Sequence, residues 1–152
     1  MTTLPPIPLP DAEATARLGA AVARRLRRGD AVLLYGPLGA GKSTLARGLV
    51  RALTRPDEDV PSPTFTLVQF YEGPLAVAHF DLYRLERPEE AWEIGLEDAL
   101  ETGCAIVEWP ERLGDDLPPD RLEVVLSEAG AGRQAQLTAH GSWKGRELDF
   151  RS

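Results

Sequence analysis

A single α/β domain built on a mixed central sheet is the fold class that this sequence of 152 residues predicts. Three observations carry the prediction. The continuous apolar run "AVLLY" at 31–35 is followed by a glycine-rich loop and then by an amphipathic stretch, the order strand, loop, helix. A second run, "CAIVEW" at 104–109, also reads as a strand covered on both faces. Elsewhere, pairs of strand-like segments joined by short turns predict antiparallel hairpins, so the sheet is mixed.

The elements follow in order. The proline-rich opening predicts a frayed start over 1–9. Residues 11–28 read as a helix, with Ala14, Leu18, Val22 and Leu26 recurring every four residues, Asp11 after Pro10 as N-cap, and "GD" as the stop. The strand at 31–35 and its glycine loop lead into the helical "KSTLARGLVRALT", which carries Leu45, Leu49 and Leu53 on one face. "PDEDVPSPT" is a loop, and "FTLVQFY" (65–71) with "LAVAHFDLY" (75–83) forms a hairpin across "EGP". The acidic "RPEEAWEIGLEDALETG" predicts two short helical pieces with Gly95 between them. After the 104–109 strand, "RLEVVLSEAG" and "GRQAQLTAHG" pair across "AGAG", and 142–152 reads as a C-terminal tail. Neither a repeat nor a linker interrupts the chain, so 1–152 is one domain.

Composition narrows the function. Apolar residues make up 43% and charged residues 27%, ordinary globular values that allow a real core. A net charge of −7 argues against nucleic-acid or membrane binding by the whole surface. It leaves room for the local basic patch Arg24, Arg25, Arg27 and Arg28, for which a solvated helix end is the blander account. Cys104 is the only cysteine, so there is no internal disulfide and no cysteine-based zinc site. "MTTLPPIPLPD" lacks the charged and apolar regions of a secretory signal, and no apolar run approaches the roughly eighteen residues of a membrane span. The expected location is the cytoplasm.

The chemistry lies in "GPLGAGKS" (36–43), which fits G-x-x-x-x-G-K-[ST] in full. Gly36, Gly39 and Gly41 allow backbone conformations that turn successive N–H groups toward phosphates. The helix starting near Lys42 adds its positive end. Lys42 reaches the β- and γ-phosphates, and the Ser43 hydroxyl ligates Mg²⁺. Magnesium favours oxygen ligands, often a carboxylate at a neighbouring strand end. Two strands end suitably, at Asp81 and at Glu108. Either can hold the ion, directly or through water, while the other orients the attacking water. The rival role for Asp81 is a pair with Arg84 or Arg87, and for Glu108 a solvated strand end. Thr64, in the loop "PSPTFT", is the candidate γ-phosphate sensor, with a turn residue after Pro63 as its alternative. His79 reads as a half-buried strand residue in preference to a general base, and Trp109 as a stacking or a core side chain.

Missing motifs exclude neighbouring classes. There is no guanine-reading [NT]KxD and no "LSGGQ", which argues against a GTPase and a transporter ATPase. Residues 84–103 are too acidic for a phosphate-binding lid. A small-molecule kinase and a nucleotide-regulated binding module with negligible turnover remain as alternatives.

Taken in order and spacing, "GPLGAGKST", "PSPTFTLVQFY", "HFDLYRL", "GLED" and "VEWPERL" resemble the TsaE (formerly YjeE) family over about residues 10–140. These are ATPases of bacterial tRNA threonylcarbamoyladenosine synthesis. The resemblance implies a P-loop NTPase-like three-layer fold, binding of ATP/ADP and Mg²⁺, slow hydrolysis, and work with the TsaB and TsaD proteins, through which tRNA would be met. It makes Gly36, Leu38, Gly39, Ala40, Gly41, Lys42, Ser43 and Thr44 the nucleotide-binding loop. It sets Glu108 on the magnesium side, Asp81 in catalysis, Thr64 in a switch-like loop, Trp109 near the nucleotide and Thr15 near the adenine. Two departures are visible: the usual family loop reads "GDLGAGKT", and here Pro37 replaces the aspartate and Ser43 the threonine. Ser43 keeps the ligating oxygen, whereas Pro37 lacks an N–H.

Overall fold

The computed structural model describes residues 1–37, 39–61, 63, 66–146 and 150. Two strands open the chain, β1 (Thr2–Thr3) and β2 (Ile7–Leu9), followed by helix α1 (Ala12–Ala23), β3 (Ala31–Tyr35) and α2 (Lys42–Leu53). Then come the hairpin β4 (Val68–Tyr71) and β5 (Ala76–Asp81), the short helices α3 (Glu89–Glu93) and α4 (Leu96–Thr102), and β6 (Gly103–Glu108). A second hairpin, β7 (Arg121–Ala129) and β8 (Gly132–Ala139), completes the sheet.

The sheet order is β1-β8-β7-β3-β6-β5-β4, with β2 also paired to β8. The central strands β7, β3, β6 and β5 run parallel, and both margins are antiparallel. The mixed sheet read from the sequence is therefore observed, with the hairpins as its two flanks.

Strand alternation explains why β3 and β6 are apolar throughout. Val32, Leu34 and Ile106 face one way, into a core shared with Leu18 and Val22 of α1 and Leu45 and Leu49 of α2. Ala31, Leu33, Ala105 and Val107 face the other way, against Ala91 of α3 and Leu96 and Ala99 of α4. The result is three layers, helices on both faces of one sheet. Helices α1 and α2 meet backbone to backbone. A Cβ on Gly19 would sit under 3.0 Å from the carbonyl oxygen of Leu45, and one on Gly48 equally close to that of Ala16. This approach seats α2, and with it the glycine loop, at one height above the sheet.

Several sequence expectations are corrected. The opening segment is not frayed: Ile7 and Leu9 are buried while Pro8 points outward, and β2 pairs with β8. Proline is compatible with such a marginal strand because it removes no bond from the sheet interior. The C-terminal segment is not a free tail. Trp143 is fully buried, Phe150 is 5% exposed, and Arg146 bonds Asp30 through both terminal nitrogens at 2.5 and 3.0 Å. Helix α1 stops at Ala23, short of residue 28, because the next turn tightens into three-residue bonds and the Asp30 carboxylate accepts the Arg27 N–H. Strand β5 ends at Asp81, whose Oδ1 accepts the Tyr83 N–H and turns the chain. Among the described residues, no helix is long and apolar enough to cross a membrane.

Candidate functional site

The glycine loop joins β3 to α2 at the ends of the parallel strands, the usual place for ligands in open α/β sheets. Gly36 has φ 144°, and a Cβ there would lie 2.7 Å from the carbonyl oxygen of Leu126 on β7, so only glycine fits. Gly41, at φ 105°, is the left-handed residue before α2, and Thr15 of α1, 3% exposed, lies against it. The first-turn N–H groups of α2 have no intrahelical acceptors and face a site with a positive helix end. Gly39 is exposed at the loop tip, Ala40 is buried beneath it, Ser43 is exposed and Thr44 half-buried. Leu38 and Thr64 lie outside the described residues.

Lys42 is the unusual member. It is only 5% exposed, and its ammonium has no hydrogen-bond partner. Nζ sits 3.7 Å from the centre of the Trp109 ring. Trp109 takes the left-handed conformation, φ 59° and ψ 50°, immediately after β6, which turns its indole over the lysine. Behind it, Tyr83 tilts against the indole with ring centres 5.0 Å apart, and the Arg112 guanidinium lies 5.8 Å from the Tyr83 ring. Burial holds the Lys42 ammonium below its ordinary proton affinity, opposed by the negative charges of Glu108, Glu111 and Asp81. Three carboxylates thus act on one lysine, and Glu111 was not among the residues expected from sequence.

Asp81 and Glu108 are the last residues of β5 and β6 and stand opposite each other in the parallel register. They are 5% and 4% exposed. Alternation from Val77 and Ile106, which face α1 and α2, sets His79, Asp81 and Glu108 on the face that carries the loop helix. Arg87, one rival partner for Asp81, engages Glu90 instead.

Besides Glu111, two more residues take a larger part in the site than the sequence suggests. His79 is fully buried, not half-buried, and its Nε2 lies 2.6 Å from Glu108 Oε2. The signal was available, since His79 and Asp81 are two apart on one strand and must share a face. Arg133 of β8 donates to the Gly39 carbonyl at 3.0 Å. It lies 94 residues away in the chain, and no local pattern marks it. A cleft of about 290 Å³ opens beside the loop, bounded by Pro10, Asp11, Thr15, Gly39, Thr44 and Arg133.

Chemically, a glycine cradle, a helix end, an unpartnered ammonium, an exposed hydroxyl and two carboxylates at adjacent strand ends fit a phosphate chain and a magnesium ion. The fit rests on the orphaned Lys42 ammonium, a buried cation that an anion would complete.

The family model described as "Threonylcarbamoyl adenosine biosynthesis protein TsaE" matches residues 9–135. The tRNA threonylcarbamoyladenosine biosynthesis protein TsaE of Rickettsia felis is 39% identical over 139 residues, which span 91% of this chain and 81% of that protein. The protein of the same name from Treponema pallidum is 38% identical over 124 residues, 81% of this chain and 91% of its own. Among solved structures, Bacillus subtilis YdiB superposes with a TM-score of 0.76 at 28% identity, over 94% of this chain and 90% of that one.

Proposed function

The chain belongs to the TsaE family of threonylcarbamoyl adenosine biosynthesis, and from that premise we propose that it is a P-loop ATPase that binds Mg·ATP at residues 36–44 and hydrolyses it slowly in support of tRNA modification, as the cytoplasmic partner of TsaB and TsaD. The observation that carries the reading is Lys42: a buried ammonium without a hydrogen-bond partner, set in a glycine loop beside Asp81 and Glu108. Such a group is costly to bury unless an anion completes it.

The loop N–H groups and Lys42 hold the β- and γ-phosphates, and Lys42 leaves the Trp109 face to do so. Ser43, with Glu108 or Asp81, would hold a magnesium ion, which when bound would supply positive charge against the phosphates. The second carboxylate orients water. Thr64, four residues ahead of β4 in the sequence, is assigned as the sensor of the γ-phosphate, and Thr15 borders the adenine end of the site. Catalysis of this kind is positioning and electrostatics, with little covalent work for the protein. The phosphate passes to water, and the useful output is a change in shape felt by the partners.

Steady-state phosphate release tests the reading, with and without TsaB and TsaD at matched salt. Slow release that rises with the partners is expected. In Glu108→Gln and Asp81→Asn, nucleotide binding should persist while turnover drops at least about tenfold, equal to ~1.4 kcal/mol of barrier. Wild-type turnover in either variant removes that residue from catalysis. Phosphate transferred to a small molecule, and not to water, would show a kinase instead.

A further inference from the structure

We propose that His79 is a positioning residue for Glu108: its imidazole holds one carboxylate oxygen so that the other stays aimed at the magnesium and water side of the site. The inference rests on the reading of Glu108 given above. It starts from a contact, His79 Nε2 to Glu108 Oε2 at 2.6 Å, between side chains that are 2% and 6% exposed. A glutamate buried at a strand end needs a partner, since an unpaired buried carboxylate is expensive. His79 supplies it from the neighbouring strand, reaching Glu108 on the face that both share. The other ring nitrogen, Nδ1, is buried with no hydrogen-bond partner. A bare lone pair is tolerated there better than an orphaned N–H, which assigns the proton to Nε2 as donor to Oε2. His79 therefore spends its one donor on Glu108.

The consequence is geometric. A free glutamate samples several rotamers, and ordering it costs conformational entropy. His79 is held in place within a central strand and transfers that order to Glu108. Oε2 is occupied, so Oε1 is the oxygen left for the ion or the water. Outer hydrogen-bond partners of this kind typically govern metal affinity or activity by about 10–100-fold.

The test is a mutant cycle with a conservative rescue. His79→Ala should lower kcat about 10–100-fold with KM for ATP nearly unchanged. His79→Gln, whose amide nitrogen reaches nearly the place of Nε2, should recover most of the loss. In a Glu108→Gln background, His79→Ala should add no further loss, because the two act through one carboxylate. Independently of activity, nitrogen-resolved NMR of the nucleotide-free chain should find His79 protonated at Nε2, with that proton shifting in Glu108→Gln. Thermal midpoints identify any variant that does not fold, and if His79→Ala is one, His79→Asn, whose shorter amide cannot reach the place of Nε2, takes its place in the cycle with the same expected loss. Wild-type kcat in His79→Ala, an equal loss in both backgrounds, a folded His79→Gln no better than the alanine, or a proton on Nδ1 would each overturn the inference. If Glu108→Gln itself turns over at the wild-type rate, the reading of Glu108 fails. If it is slow while His79→Ala is not, only the role of His79 fails.

Discussion

Replacing Lys42 with methionine should leave the free protein as stable as before, or more so, while abolishing its response to nucleotide. Methionine keeps the unbranched stem beside Trp109 and removes only the ammonium. That ammonium is 5% exposed, without a hydrogen-bond partner, and 3.7 Å from the centre of an indole ring. A desolvated cation over an aromatic face recovers about 2 kcal/mol. Taking an ammonium out of water costs several kcal/mol even after relaxation, and the nearby carboxylates return a part of it. Removal is therefore neutral or favourable in the free chain. With Mg·ATP at about a hundredfold over its dissociation constant, the wild type gains roughly 2.7 kcal/mol. At about 2–4 °C per kcal/mol for a chain of this size, its melting point should rise by ~5–11 °C, and that of Lys42→Met should not move. The pH dependence follows from the lowered proton affinity of Lys42 relative to its ordinary 10.5. The unfolded chain holds this proton more tightly than the folded one. Wild-type stability therefore gains, relative to the variant, as pH climbs from the depressed value toward 10.5. Thermal melts of both proteins between about pH 7 and 10, with and without Mg·ATP, provide the assay. A variant several degrees less stable when free, a retained nucleotide shift, or a stability difference that moves in the methionine's favour with rising pH would refute the reasoning.

Three further outcomes are expected. Gly48→Ala should destabilise the chain by about 1–3 kcal/mol despite the better helix propensity of alanine, because its Cβ collides with the Ala16 carbonyl and lifts α2 off α1; a raised urea midpoint would contradict the close approach. Arg146→Met should cost about 3–5 kcal/mol by leaving the carboxylate of Asp30, 1% exposed, without its guanidinium, and Asp30→Asn should recover part of that loss in the double variant, again by urea titration. Burial pushes the Cys104 thiol up to about 12 from 9.0, so its thiolate at pH 8 is about a thousandfold scarcer than an exposed one, and alkylation should report unfolding rather than surface reactivity; rapid labelling of the native chain would show that β6 opens.

Local chemistry made a large part of this protein legible. The glycine loop declared itself because its requirements are local: positive φ at Gly36 and Gly41, a lysine at the helix start, a hydroxyl beside it. Helices α1 and α2 follow from a periodicity of 3.6, strands β3 and β6 from continuous apolar runs, and the β7–β8 hairpin from its glycine turn. Asp81 and Glu108 could be named from sequence as strand-end carboxylates. That they stand in register, side by side, was decided by the parallel pairing of β5 with β6, which no short window of sequence encodes. The same holds for the bond from His79 to Glu108, 29 residues apart, and for the seat of Lys42 on Trp109, which needs a left-handed backbone after β6. The two ends of the chain were misread for a related reason. Prolines and polar residues signal fraying when judged alone, but Ile7, Leu9, Trp143 and Phe150 become core once the sheet and α1 offer them a surface. Sequence determined which groups could do the chemistry, since that depends on residue type and short spacing. Tertiary structure decided which of them meet, since strand register and helix seating are set by burial summed over the whole chain.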